Sequence, residues 1–164
     1  MMGVGKSTVG KSLANKLSFK FIDIDKIIEK REGCTIDVIF KKKGEGFFRS
    51  MENKITLREL KKENVVISLG GGAFLNNAIR RAVKNSSVSF WLDVNLEILI
   101  KRLKKNKKRP LLLNKNLGET LKKIYLERKK TYNEASYRIK CENLKPEIIT
   151  NKILDLYEIS TDKF

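Results

Sequence analysis

Near its start, the chain reads Gly3-Val4-Gly5-Lys6-Ser7-Thr8. This stretch matches the second half of the phosphate-binding pattern G-x-x-x-x-G-K-[ST], in which backbone N–H groups surround an anion and a helix begins at once. In this pattern Lys6 reaches the β- and γ-phosphates of a nucleotide, and the Ser7 hydroxyl binds Mg²⁺. The first glycine of the pattern would precede Met1. A glycine-rich helix start is therefore the alternative interpretation of these six residues taken alone.

Outward from this loop, apolar residues recur with helical and strand spacing in turn. We predict strands over residues 19–24, 65–69, 88–92 and 137–141, and helices over residues 8–17, 26–31, 35–42, 45–61, 96–103, 119–136 and 146–157. Strands that alternate with helices predict an α/β fold with a mainly parallel sheet covered on both faces. No linker or repeat interrupts the 164 residues, so we predict one domain over residues 1–164. Residues 104–118 are predicted to form a long basic loop that acts as a lid.

The composition excludes several classes of chemistry. Histidine is absent from the sequence, which rules out imidazole general bases, Ser-His-Asp triads and His-ligated metals. Cys34 and Cys141 lack the spacing of a metal or redox motif, so we expect two reduced thiols. No apolar run approaches the ~20 residues that a membrane helix needs, and there is no signal-peptide pattern. We therefore expect a cytoplasmic protein without a membrane partner.

The net charge of +17 raises nucleic acid as a possible partner. The densest basic cluster lies at residues 101–109, but the excess of lysine is spread along the whole chain. No RNA-stacking motif or helix-turn-helix pattern accompanies it. We interpret the charge as solvated lysine faces with an affinity for polyphosphate, and we expect no specific nucleic acid partner.

Two carboxylates close the first predicted strand. Asp23 and Asp25 stand at its carboxyl end, where ligands bind in open α/β sheets. Period-two alternation would place both side chains on one face of the chain. There they could serve a magnesium ion and a substrate hydroxyl. The alternative is a surface aspartate followed by a helix N-cap ahead of Lys26.

Four further groups lie downstream. Phe48-Arg49 is near a helix start, where a solvated arginine is the alternative interpretation. Gly70-Gly71-Gly72 follows a strand and allows close approach of backbone to another group, although a plain turn is the alternative. Arg109-Pro110-Leu111-Leu112 lies in the basic loop, from which an arginine could close over phosphates. Arg128 and Tyr132 share a helical face, and an arginine so presented can clamp a planar carboxylate.

Together and in this order, these groups resemble the shikimate kinase family over essentially the whole chain. Other small-molecule kinases share only the phosphate-binding loop and the general layout. The matching segments are Gly3-Val4-Gly5-Lys6-Ser7-Thr8, Phe21-Ile22-Asp23-Ile24-Asp25, Phe48-Arg49, Ser68-Leu69-Gly70-Gly71-Gly72, Arg109-Pro110-Leu111-Leu112, and Arg128 with Tyr132.

The resemblance implies a P-loop kinase three-layer fold. It also implies Mg²⁺-dependent transfer of the γ-phosphate of ATP to the 3-hydroxyl of shikimate, a step toward chorismate and the aromatic amino acids. It further implies a role for each matching residue. ATP would be held by Gly3, Val4, Gly5, Lys6, Ser7, Thr8, Arg102 and Arg109, with Ser7 on Mg²⁺ and Asp23 supporting the metal through water. Shikimate would be held by Asp25, Arg49, Gly70, Gly71, Gly72 and Arg128. Catalysis would rest on Asp25, Lys6 and Arg109, with Asp25 orienting or deprotonating the attacking hydroxyl.

The sequence departs from the family's pattern in two places. Leu144 stands about where members often carry an arginine near the nucleotide base, with Lys145 beside it. The family also has an apolar strand and a first glycine ahead of the point where this sequence begins. That central strand would lie between the strands at residues 65–69 and 88–92. We therefore expect those two not to pair, and we expect an N-terminally truncated chain of marginal stability.

Three alternatives stay open on the sequence alone. One is another small-metabolite kinase of the gluconate type, although Arg49, the three glycines and Arg128 argue against it. A second is an inactive truncated remnant that keeps the motifs. The third is a basic nucleic-acid-binding module. The preferred hypothesis is a monomeric kinase that binds ATP and shikimate.

Overall fold

The computed structural model describes residues 3–105, 117–141 and 144–161, over which strands alternate with helices as predicted. The strands are β1 (Lys20–Asp23), β2 (Val65–Ser68), β3 (Phe90–Asp93) and β4 (Tyr137–Lys140). The helices are α1 (Lys6–Leu17), α2 (Ile24–Glu32), α3 (Ile36–Glu59), α4 (Asn77–Ser86), α5 (Leu96–Lys105), α6 (Leu117–Tyr132) and α7 (Pro146–Thr161). A short 3-10 turn (Ala73–Leu75) follows β2.

The sheet consists of two separate parallel pairs. β1 pairs with β2, from Lys20 opposite Val65 onward, and β3 pairs with β4, from Phe90 opposite Tyr137 onward. Within the described ranges no ladder joins β2 to β3, as the sequence led us to expect. Both pairs are parallel, which confirms the predicted strand direction.

The phosphate-binding loop turns directly into α1. Gly5 caps this helix with φ 91° and ψ 17°, a left-handed conformation that favours glycine. The buried face of α1 carries Val9, Leu13 and Ala14, and the helix packs against α7 and over β1 and β2. At Gly10 the contact is so close that a Cβ would lie 2.6 Å from the Phe21 ring. The loop is therefore held next to the carboxyl end of β1.

Two apolar clusters stabilise this arrangement. The smaller one joins β1, α2 and α3 through Ile22, Ile24, Ile28, Ile39, Phe48 and Ile55. The larger one gathers the helices around β3 and β4, with Trp91, Leu92, Leu121, Tyr132 and Ile139 among its buried members. Burial of such side chains contributes ~1.5–3 kcal/mol each.

Three element boundaries differ from the sequence prediction. β1 ends at Asp23, so Asp25 lies in the first turn of α2 and strand alternation does not orient it. The helices predicted at residues 35–42 and 45–61 form the single element α3, broken only by Gly44 at φ 79° and ψ 168°. Helix α4 was not predicted at all, although Asn76 caps it with hydrogen bonds from the N–H groups of Ala78 and Ile79.

The predicted loop at residues 104–118 is shortened from both sides. α5 continues through Lys105, and α6 begins at Leu117. The rest of that segment, with Arg109, lies outside the described residues. No helix in the described part of the chain combines the length and the apolar character that crossing a lipid bilayer requires.

Candidate active site

The nucleotide side of the site forms where α1 and β1 meet. The Ser7 hydroxyl donates a hydrogen bond to Asp23 Oδ2 at 2.7 Å. Asp23 also caps α2, because its Oδ1 accepts from the Lys26 N–H at 3.4 Å. Asp23 is therefore the N-cap of α2 and also a hydrogen-bond partner of the phosphate-binding loop. A hydroxyl and a carboxylate together supply the hard oxygen atoms that Mg²⁺ prefers.

The acceptor side is built around Gly70, Gly71 and Gly72, which follow β2. Gly70 gives room to two carboxylates. A Cβ at residue 70 would collide with Glu52 Oε1 and would lie 2.7 Å from Asp25 Oδ1. Asp25 from α2 and Glu52 from α3 therefore meet on the same face of this glycine.

Glu52 is the buried member of this carboxylate pair. Its side chain is 2% exposed, and Oε2 accepts a hydrogen bond from Arg49 Nη1 at 2.7 Å. Oε1 has no hydrogen-bond partner among the residues that the structure describes. Burial raises the pKa of Glu52, and the neighbouring Arg49 opposes that rise. The Glu52 side chain thus holds the Arg49 guanidinium in place through this hydrogen bond.

The Arg49 guanidinium lies against Gly72, the third glycine of the turn. A Cβ at residue 72 would lie 2.6 Å and 2.7 Å from the two terminal guanidinium nitrogens of Arg49. Glu45, one turn earlier on α3, accepts from Arg49 Nε at 3.1 Å and from Nη2 at 3.0 Å. Two glutamates of one helix therefore orient the guanidinium, and the absence of side chains at the turn lets it approach.

Gly71 connects the turn to α6. Its carbonyl oxygen accepts from Arg128 Nη1 at 2.8 Å and also from the Tyr132 hydroxyl. The predicted shared face of Arg128 and Tyr132 is confirmed by this common acceptor. Arg128 is half-buried and Tyr132 is buried, and burial raises the pKa of the Tyr132 phenol while Arg128 opposes the rise.

The combined site has the chemistry of a receptor for a small hydroxylated acid. Two guanidinium groups, from Arg49 and Arg128, border the glycine turn, and a guanidinium binds a carboxylate through parallel hydrogen bonds. The Asp25 carboxylate, from α2, lies against the same glycine turn, where it can accept a hydrogen bond from a substrate hydroxyl. Lys6 and Ser7 stand at the neighbouring loop, so an acceptor and a nucleotide can be held side by side.

The remaining predicted residues are placed as follows. Arg102 is exposed on α5. Leu144 packs against the larger apolar cluster, which explains why an apolar residue is accommodated there. Gly3, Val4 and Thr8 lie in or next to the phosphate-binding loop, with Val4 buried.

Sequence reasoning missed two residues that support the site. Glu52 could have been found from its i,i+3 spacing to Arg49 on a predicted helix. Arg80 had no such signal. It lies on the unpredicted α4, and its Nη1 donates to the carbonyl oxygens of Phe74 at 3.0 Å and Leu75 at 2.8 Å. It thereby holds the 3-10 turn that follows the glycines.

Comparison with known proteins points to a single family. The sequence profile of the shikimate kinase family, described as "Shikimate kinase", matches residues 2–158. The chain belongs to the shikimate kinase family. A shikimate kinase of Persephonella marina is 46% identical over 153 residues, covering 93% of this chain and 92% of that protein. One of Aquifex aeolicus is 38% identical over 152 residues, covering 93% and 89%.

Solved structures of the family share the fold. Shikimate kinase from Acinetobacter baumannii in complex with shikimate has a TM-score of 0.90 at 32% identity, covering 97% of this chain and 89% of that chain. The enzyme from Bacteroides thetaiotaomicron has a TM-score of 0.89 at 31% identity, covering 96% and 94%. The fold is therefore the α/β P-loop kinase fold that the sequence predicted.

Proposed function

We propose that this chain is a shikimate kinase, which transfers the γ-phosphoryl group of ATP to the 3-hydroxyl of shikimate and releases shikimate 3-phosphate and ADP. The observation that carries this proposal is the glycine turn, which brings Asp25, Arg49 and Arg128 together beside a phosphate-binding loop. Membership of the family supports the same substrate pair.

Residues of the loop hold the nucleotide in this proposal. The backbone N–H groups of residues 3–8 and the start of α1 favour anionic phosphates, and Lys6 neutralises charge on the transferred group. Ser7 and Asp23 fit a magnesium ion because their oxygens are already within hydrogen-bond distance of each other. When bound, the ion neutralises phosphate charge during transfer. Arg102 contributes to adenine binding, and Arg109 contributes to the phosphates.

The acceptor is held from its two ends. Arg49 and Arg128 bind the carboxylate, with the backbone of the three glycines as the wall between them. Asp25 binds the hydroxyls and orients or deprotonates the one that attacks. Phosphoryl transfer needs mainly positioning and charge neutralisation, which the glycine turn and the charged side chains of Asp25, Arg49 and Arg128 supply together with Lys6. We propose that a single subunit suffices, since every group invoked comes from this chain.

A coupled ADP-release assay tests the proposal with ATP, Mg²⁺ and one of three acceptors: shikimate, gluconate or a nucleoside monophosphate. We expect turnover with shikimate only. Lys6→Met should remove most of that turnover, because it removes the charge on the phosphate loop. Lys11→Met is the matched control, since Lys11 is exposed on the same helix. Turnover with either other acceptor but not with shikimate would refute the assignment.

A further inference from the structure

Tyr132 lies where α6 contacts the glycine turn, and the proposed function gives this residue no role. Its side chain is buried, and its hydroxyl donates a hydrogen bond to the Gly71 carbonyl oxygen. Arg128 Nη1 donates to the same oxygen at 2.8 Å. A carbonyl oxygen has two lone pairs, so these two donors, one helical turn apart, share the acceptor between them.

Fixing the Gly71 carbonyl also fixes the position of the next residue, Gly72. The peptide unit between Gly71 and Gly72 is planar and rigid, so fixing the Gly71 oxygen also fixes the Cα of Gly72. The Arg49 guanidinium lies against that Cα. The turn therefore contacts both arginines, Arg128 at the Gly71 oxygen and Arg49 at Gly72, so a shift of the turn would change the separation of the two guanidinium groups.

The Tyr132 ring is itself held from behind. Its centroid lies 5.8 Å from the Trp91 ring, and the Arg138 guanidinium lies 4.8 Å from Trp91 on β3. Arg138 in turn donates to Asp93 Oδ2 from Nε at 2.9 Å and from Nη2 at 2.6 Å. The contact with Trp91, itself held by Arg138, restrains the Tyr132 phenol next to the glycine turn. Burial raises the pKa of Tyr132 above its ordinary value, so the hydroxyl stays a donor at neutral pH.

We propose that Tyr132 is a positioning residue for the carboxylate end of the acceptor, whose hydroxyl fixes the Gly71 carbonyl and thereby the spacing of Arg49 and Arg128. This inference rests on the proposed function, because the acceptor it positions is the shikimate carboxylate. Tyr132 acts through these arginines and the turn, with no role in the chemical step. Its removal should therefore weaken acceptor binding and leave phosphoryl transfer in the saturated enzyme nearly unchanged.

The test compares Tyr132→Phe with Tyr125→Phe. The first variant keeps the ring against Trp91 and loses only the hydroxyl. The second also loses one part-buried hydrogen bond near Trp91, from the Tyr125 hydroxyl to Asp93 Oδ1 at 3.2 Å, but this bond goes to β3 and not to the glycine turn. For Tyr132→Phe we expect the KM for shikimate to rise about tenfold, as loss of one hydrogen bond in a coupled set allows. We expect kcat and the KM for ATP to stay within about twofold of wild type. Tyr125→Phe should leave all three constants within that range.

Binding is measured separately through the fluorescence of Trp91, the single tryptophan of the sequence. The Kd for shikimate should rise in parallel with KM in Tyr132→Phe. An unchanged KM for shikimate, or equal rises in both KM values, would overturn the proposal. Loss of the cooperative thermal transition in Tyr132→Phe would also overturn it, because the hydroxyl would then serve the fold. Wild-type turnover on shikimate is checked first, so failure of the proposed function is recognised on its own.

Discussion

The three glycines at positions 70–72 act through three different contacts. Gly70 leaves room for the carboxylates of Asp25 and Glu52, and Gly72 leaves room for the Arg49 guanidinium. Gly71 offers its carbonyl oxygen to α6. The sequence predicted close approach at this turn, but it could not show which group approaches which glycine, because those groups come from α2, α3 and α6.

At the residue scale, we predict that Asp25→Asn removes turnover while ATP binding survives. The Asp25 carboxylate lies at the glycine turn, whereas in the proposed function the nucleotide is held mainly by residues 3–8. Loss of a general base or orienting group typically costs ~10²–10⁴-fold in rate. The measurement is ADP release together with nucleotide binding by calorimetry. Asp155→Asn, an exposed position on α7, is the control, and near-normal turnover of Asp25→Asn would remove this residue from the mechanism.

A second prediction at this scale concerns Arg128→Lys, which should weaken shikimate much more than ATP. Lysine keeps the positive charge but loses the planar fork that can serve the Gly71 oxygen and a carboxylate together. The KM values for both substrates are the measurement, with the exposed Arg81→Lys as control. If both affinities fell equally, Arg128 would be supporting the fold and not the substrate.

At the scale of elements, the sequence predicted those whose signal is local. The helix after the phosphate-binding loop, with Val9 and Leu13 on its apolar face, was predicted from adjacent residues, and the structure confirms it as α1. Ile24, the first residue of α2, was misassigned to the preceding strand, because Ile22 and Ile24 suit a buried strand equally well. Helix α4 was missed although Asn76 is a good N-cap. Arg80 on that helix therefore could not be connected with the site.

Within α3, two nearby glycines should respond in opposite ways to the same substitution. Gly44 has φ 79° and ψ 168°, a conformation almost restricted to glycine, so Gly44→Ala should cost ~1–3 kcal/mol of stability. Gly46 is helical, and a Cβ there would meet nothing within 4 Å. Gly46→Ala should therefore stabilise by up to ~1 kcal/mol. The measurement is thermal melting, and we expect Tm to fall in Gly44→Ala and to rise or stay level in Gly46→Ala. The same change of Tm in both variants would show that the positive φ of Gly44 imposes no conformational cost on another residue at that position.

At the scale of the whole molecule, the charge distribution suits the two substrates. The chain carries a formal net charge of +17, yet the groups that meet at the glycine turn include two carboxylates, Asp25 and Glu52. A positive surface raises the local concentration of anionic ligands, and both ATP and shikimate are anions. In the proposed function, Asp25 then favours an acid that also carries hydroxyl groups, while the buried Glu52 orients Arg49. Charge alone would attract nucleic acid equally well, and the site chemistry is what favours a kinase.

Among the described residues, the strand pair β1–β2 forms no hydrogen-bonded ladder with the pair β3–β4. β2 is half-buried over most of its length and β3 is mostly buried, yet no ladder runs between them in the described ranges. Unpaired buried backbone groups cost ~1–3 kcal/mol each, a large share of an ordinary domain stability of ~5–15 kcal/mol.

Fusing an apolar strand of ~10 residues ahead of the phosphate-binding loop should therefore raise Tm, by roughly 2–4 °C for each kcal/mol gained. A Gly/Ser extension of equal length is the matched control. The apolar extension should also raise turnover, because a rigid strand behind the loop fixes the phosphate site. Equal Tm and equal turnover for the two extended chains and the original one would mean that the open edges of β2 and β3 carry no energetic penalty.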